Sequence, residues 1–153
     1  MFSQIDNKTL VMFSSDNGAT FTDGADTRFF ESQGILRGTK MDLYEGGIRI
    51  PFIAKWPGKI KPGSVNRHIS TRYDIMATLA ELTGASLLQT DGISFLPQLF
   101  GHHTMQQKHP CLYFEYPEKG GQVAVRMGDW KGIKTGSFCA PSTTRSIPGM
   151  IPE

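Results

Sequence analysis

Four consecutive residues, Ser15-Asp16-Asn17-Gly18, set a carboxylate beside an amide directly after an apolar run. The run, Thr9–Ser14, has the composition of a strand buried on both faces, and ligands in open α/β sheets bind beyond the carboxyl ends of strands. Carboxylate and amide oxygens are hard ligands that suit Ca²⁺ or Mg²⁺ better than Zn²⁺. Because Asn-Gly is also a common turn, these residues alone leave a metal site and a simple turn both open.

Two cations flank a glycine in the segment Leu36-Arg37-Gly38-Thr39-Lys40. The glycine lets the backbone come close to a ligand. The lysine would act as a point charge and the arginine as a two-pronged donor. The segment predicts a loop that holds an oxyanion, with a solvated loop as the alternative.

Other titratable residues give weaker indications. His68 precedes a predicted helix and is a further candidate for contact with a substrate. The paired glycines Gly46-Gly47 predict a tight turn before a strand, and they are flanked by Glu45 and Arg49. A structural ion pair between Glu45 and Arg49 is favoured over a catalytic role.

The rest of the pattern predicts the elements that position these residues. Ile48–Trp56 is typical of a strand, and Pro51 inside it indicates an edge position or an irregular start. Arg72–Leu82 has helical spacing, with Gly84 as its carboxyl-terminal cap. A short helix and three short antiparallel strands follow, at Ser94–Phe100, Cys111–Tyr116, Gln122–Met127 and Trp130–Lys134.

The composition is that of an ordinary soluble domain. The chain has 153 residues, 39% of them apolar and 20% charged. A net charge of +2 with scattered cations does not suit a nucleic-acid-binding protein, and the apolar runs are too short for a membrane span. The two cysteines do not form a disulfide framework, and the polar start, which lacks a targeting signal, predicts an internal piece of a longer chain.

Taken in series, these segments resemble the C-terminal portion of the sulfatase family, within the alkaline-phosphatase-like superfamily. TLVMFSSDNG is followed by ILRGTKMDLYEGGIRIPFIAKWPGKIKPGS, RYDIMATLAELTGA, DGISFLPQLFG, and LYFEY with AVRMGDWKGIK. Each segment has a counterpart in sulfatases, in this order and at similar spacing. Five such matches in series are far more specific than one.

The resemblance implies that the parent protein hydrolyses sulfate esters with the help of calcium. Asp16 and Asn17 match a pair that supplies two Ca²⁺ ligands, and Lys40 matches the lysine that contacts the sulfate group. Arg37 and His68 remain further candidates for substrate binding. The formylglycine nucleophile is expected upstream of this chain, which is therefore predicted to be inactive alone.

A tetrapeptide near the C-terminal end also resembles a sulfatase motif, and this likeness is interpreted as chance. Cys139-Ala140-Pro141-Ser142 looks like the start of the signature whose cysteine becomes formylglycine. The next arginine, Arg145, stands at the wrong offset, and the tetrapeptide lies at the C-terminal end, whereas the family's signature lies near the N-terminus.

The predicted fold class is α/β, or α+β for the chain taken alone. The end of the large sulfatase sheet would be followed by a small antiparallel sheet packed on a helix. The predicted division gives 1–60 to the catalytic domain, 61–136 to a helix-and-sheet subdomain, and 137–153 to an irregular tail. An exposed edge of the small sheet would allow self-association. The resemblance implies a sulfated small molecule or glycan as substrate and a periplasmic, secreted or lysosomal location.

Two alternatives stay open at this point. The parent could be a phosphoesterase or phosphotransferase of the same superfamily, although pairing Asp16 with an asparagine favours one hard cation over two zinc ions. The chain could instead be a non-catalytic module that binds a glycan or a partner through Trp56, Tyr113 and Tyr116.

Overall fold

The computed structural model describes residues 6–21, 24, 26–87 and 89–136. The chain forms two compact units that interleave along the sequence. The first unit comprises Met1–Gly18 and Arg49–Leu112, and the second comprises Ala19–Ile48 and Tyr113–Glu153. The predicted division at residue 60 is a statement about domains of the parent protein and stays a prediction. The predicted tail, 137–153, lies outside the described residues.

A two-stranded sheet carries the first candidate loop. Strand β1, Val11–Ser14, pairs antiparallel with β2, Phe52–Lys55, with Val11 opposite Lys55 and Ser14 opposite Phe52. Among the described residues both strands are therefore edges, which is one of the two alternatives that Pro51 indicated for the second strand. The strand also begins only after Pro51, at Phe52.

The prediction that the first strand is buried on both faces is wrong for this chain. The side chains of Val11 and Phe13 are 50% and 64% exposed. Alternate residues of a strand share a face, and in this sheet Ile53, opposite Phe13, is also exposed. An apolar run identifies a strand, but its burial depends on other elements that cover it.

The helical predictions are confirmed. Helix α2 spans Asp74–Thr83 and ends at Gly84, whose φ of 69° is left-handed and favours glycine. The short α3, Leu96–Leu99, accommodates a proline in its first turn. The fully buried Thr78 joins them, because its hydroxyl donates to the carbonyl of Asp74 at 2.8 Å and accepts the N–H of Phe95 at 3.0 Å.

The second unit contains the predicted small sheet, in the order β3-β4-β5. The strands span Leu112–Tyr116, Gln122–Met127 and Trp130–Thr135, and β4 pairs antiparallel with β5. The paired glycines do not form a turn but lie inside a short helix, α1, Glu45–Ile48. Self-association through a sheet edge stays a prediction. No helix in the described part of the chain is long and apolar enough to cross a bilayer.

Candidate functional site

The loop after β1 presents the predicted metal ligands. The Ser15 hydroxyl donates to the carbonyl of Asn17 at 2.9 Å, and the Arg72 guanidinium donates to the carbonyl of Ser15 at 3.2 Å. The loop backbone is thus held from within and by a residue just before α2. Asp16 is exposed and Asn17 half-buried, and no described residue hydrogen-bonds to either side chain. Their oxygens are therefore free to bind a cation.

A second loop, residues 37–42, holds the backbone of Lys40. Its N–H donates to the carbonyl of Ala19 at 2.7 Å, and the N–H of Asp42 donates to the carbonyl of Thr39 at 2.9 Å. The Lys40 side chain is half-buried and makes no ion pair with any described residue. The loop therefore fixes the backbone at Lys40 while its ammonium group stays available for an anion.

Asp42, which was not among the predicted site residues, secures this loop. One carboxylate oxygen accepts the N–H of Thr39 at 3.0 Å and the other accepts the ammonium of Lys119 at 2.9 Å. Burial raises the pKa of Asp42, but these hydrogen bonds and the charges of Lys119 and Arg37 outweigh it, so the net pKa is lowered. The sequence pattern Thr-x-x-Asp could have predicted this role, because its acidic side chain can accept a hydrogen bond from the backbone N–H three residues earlier.

Two glycines allow α1 to lie against this loop. The N–H of Gly46 donates to the carbonyl of Arg37 at 2.7 Å. A Cβ at Gly46 would lie 2.1 Å from the carbonyl oxygen of Gly38, and one at Gly47 would lie 2.2 Å from that of Asp42. Both positions thus require glycine because the loop backbone passes too close for any side chain.

Glu45 has the structural role that was favoured, with partners that were not expected. Its two carboxylate oxygens accept hydrogen bonds from the ammonium of Lys131 at 2.8 Å and the guanidinium of Arg126 at 3.0 Å. The predicted pair with Arg49 is not formed. Both partners lie on the small sheet, so this cluster ties α1 to β4 and β5.

His68 lies in the first unit and is half-buried. Burial lowers its pKa, the charge of Asp74 raises it, and those of His109 and Lys108 lower it again, with a net lowering. The imidazole is therefore neutral at neutral pH. A role in substrate binding stays a prediction.

The predicted site residues fall into two sets. Asp16, Asn17 and His68 belong to the first unit, whereas Arg37 and Lys40 belong to the second. In the described part of the chain, no three acidic, histidine or cysteine residues group as a metal site. Asp16 and Asn17 suit a hard cation in kind, but two ligands fall short of the six to eight that Ca²⁺ takes.

The sulfatase family model matches residues 1–85, which is more than half of the 153 residues. The chain belongs to the sulfatase family. The matched region of this sulfatase-family chain includes Asp16, Asn17, Arg37, Lys40 and His68. Solved structures similar to it are sulfatases of the α/β fold, which confirms the predicted fold class.

Several relatives show how much of a sulfatase the chain represents. Human arylsulfatase A is 37% identical over 147 residues, which are 92% of this chain and 28% of that protein. An N-acetylgalactosamine-6-O-sulfatase of Bacteroides thetaiotaomicron is 33% identical over 86% of this chain and 26% of its own. The structure of Ps i-CgsB in complex with k-i-k-neocarrahexaose has a TM-score of 0.67 and 27% identity, over 85% of this chain and 28% of its own. The chain thus spans between 26% and 28% of the length of these relatives.

Proposed function

We propose that this chain is the part of a sulfate-ester hydrolase that supplies two calcium ligands and a sulfate-binding lysine. The observation that carries the proposal is the family match, which includes Asp16, Asn17 and Lys40. The formylglycine nucleophile would come from a segment outside these 153 residues, so the chain alone should not turn over substrate.

Lys40 has the properties that this reaction needs. Breaking the S–O bond of a sulfate ester builds negative charge on the leaving oxygen. Lys40 is a half-buried residue on a fixed backbone, so its ammonium group can donate hydrogen bonds to that oxygen or to the sulfate with little reorganisation. Calcium, when bound by Asp16, Asn17 and further ligands, would supply positive charge to the sulfate group.

Replacing Lys40 by methionine in the parent enzyme should lower kcat about a hundredfold, because one preorganised donor to the developing charge is lost. The measurement is steady-state hydrolysis of an aryl sulfate such as p-nitrophenyl sulfate. Lys134→Met is the matched control, since Lys134 is an exposed lysine of the same unit, on β5. It should leave kcat unchanged.

Equal hydrolysis by the wild type and Lys40→Met would contradict the role of the lysine. Running p-nitrophenyl phosphate in parallel tests the phosphoesterase alternative. Faster turnover of the phosphate than of the sulfate would favour that alternative.

The isolated chain should bind calcium weakly, with a Kd above about 1 mM, because Asp16 and Asn17 supply only two of its ligands. Isothermal titration of the chain with CaCl₂ measures this, and Asp16→Ala should abolish any heat that remains. A micromolar Kd would show that the chain holds a more complete site than proposed.

A further inference from the structure

A cavity of about 470 Å³ opens in the second unit, between the Arg37 loop, α1 and β5. Its polar lining consists of Arg37, Tyr44, Glu45 and Lys131, and its apolar lining includes Leu36 and Ile133. The volume falls in the range of small-molecule sites, which combine apolar walls with a few fixed polar groups.

The charges around this cavity do not cancel. Glu45 accepts hydrogen bonds from both Lys131 and Arg126, and although burial raises its pKa, those two cations lower it overall. Glu45 is therefore ionised at neutral pH and balances one of the two cations. Among the described residues, the lining carries two cations, Arg37 and Lys131, against the one carboxylate of Glu45, so its net charge is positive and it favours an anion. The carboxylate of Asp42, which also interacts with the charge of Arg37, is paired with Lys119 at 2.9 Å.

Arg37 is the cation that is free to meet a ligand. Its guanidinium carbon lies 3.9 Å from the centroid of the Tyr44 ring, and it makes no ion pair with any described residue. Its own carbonyl is held by the N–H of Gly46 at 2.7 Å, so the residue is anchored at the backbone and stacked at the side chain. A stacked guanidinium keeps its N–H edge open to a planar or tetrahedral oxyanion.

The apolar lining narrows the kind of ligand. Leu36 and Ile133 offer carbon surface, with the aromatic Tyr44 beside them. An inorganic ion alone would leave this surface unused, whereas the C–H face of a sugar ring would cover it.

We propose that this cavity binds one anionic sugar unit, carrying a carboxylate or a sulfate, with Arg37 as the main contact. One part of this proposal rests on the proposed function. If the parent enzyme hydrolyses sulfate esters, its substrate would be a charged glycan, and the cavity would hold a sugar unit next to the one that is hydrolysed. Binding of the sugar does not depend on hydrolysis, so the cavity proposal and the proposed function can fail separately.

The test is a titration of the ¹⁵N-labelled 153-residue chain, followed by NMR, with galactose 6-sulfate, glucuronate, galactose and inorganic sulfate. At least one of the two charged sugars should bind about tenfold or more tightly than galactose and inorganic sulfate, because charge-assisted hydrogen bonds add to ring contact. Which of the two binds more tightly identifies the anionic group. Equal affinity for the charged sugars and galactose, or for the charged sugars and inorganic sulfate, would overturn the proposal.

Variants locate the binding. Arg37→Leu should weaken binding of the charged sugar about tenfold or more, and Arg37→Lys should weaken it less, because the charge remains but the fork is lost. Arg28→Leu is the matched control, since Arg28 is an exposed arginine of the same unit without an ion pair among the described residues. It should have no effect.

A Lys40→Met variant separates the cavity from the proposed sulfate site. Binding that survives Lys40→Met and is lost in Arg37→Leu supports the cavity. Binding that is lost in Lys40→Met and survives Arg37→Leu would overturn the proposal. In the parent enzyme, a lack of sulfatase activity with this binding intact would remove the proposed function and leave the cavity.

Discussion

Replacing Asp74 by alanine should lower the free energy of unfolding by about 3–5 kcal/mol, the usual cost of removing one partner of a buried pair. Its side chain is 1% exposed. Its oxygens accept the N–H groups of Thr71 at 2.7 Å and Ile93 at 2.9 Å, and the ring nitrogen of His109 lies 2.8 Å away. The substitution leaves all three groups without this partner in the interior of the first unit.

Urea denaturation followed by circular dichroism measures this change. Asp6→Ala is the control, because the Asp6–Lys55 pair is 3.6 Å long with side chains 51% and 66% exposed. Such a surface pair contributes about 0–1 kcal/mol. Asp74→Asn should lower the free energy of unfolding by an amount between those of Asp74→Ala and Asp6→Ala, since the amide keeps one acceptor oxygen. If Asp74→Ala lowers the free energy of unfolding no more than Asp6→Ala does, the buried carboxylate does not stabilise the first unit as predicted.

Replacing Gly46 by alanine should destabilise the second unit by about 3 kcal/mol or more, the severe end of overpacking effects. The new Cβ would lie 2.1 Å from the carbonyl oxygen of Gly38 and 2.8 Å from that of Arg37. Both are backbone atoms, so relief requires the loop that carries Lys40 to move. In the parent enzyme the same variant should therefore also lose activity.

Thermal unfolding of the chain measures this effect against Gly132→Ala. A Cβ at Gly132, on β5 of the same unit, would meet no atom within 4 Å. Adding a methyl group there should be neutral or slightly stabilising, because glycine is unfavourable inside a strand. If the two variants have the same Tm, the close packing of α1 on the loop is not what stabilises this unit.

The local patterns were sufficient to predict most elements. Helix α2 and its glycine cap, the proline in α3, and strands β3, β4 and β5 all appear within two residues of their predicted positions. Each depends on residues a few positions apart, which is the distance over which periodicity and turn chemistry act. One local pattern was overlooked, since Thr71-x-x-Asp74 repeats the back-bonded arrangement of Thr39-x-x-Asp42.

By itself, the sequence determined the family, the α/β fold class and the order of most elements, and it supplied the candidate site residues, whose roles stay predictions. Only the tertiary structure decided the partners of Glu45, since Lys131 stands 86 positions away. It also decided that Gly46 and Gly47 allow two backbones to touch, and that one face of β1 is exposed. These features depend on which distant segments meet, and a pattern of neighbouring residues does not contain that information.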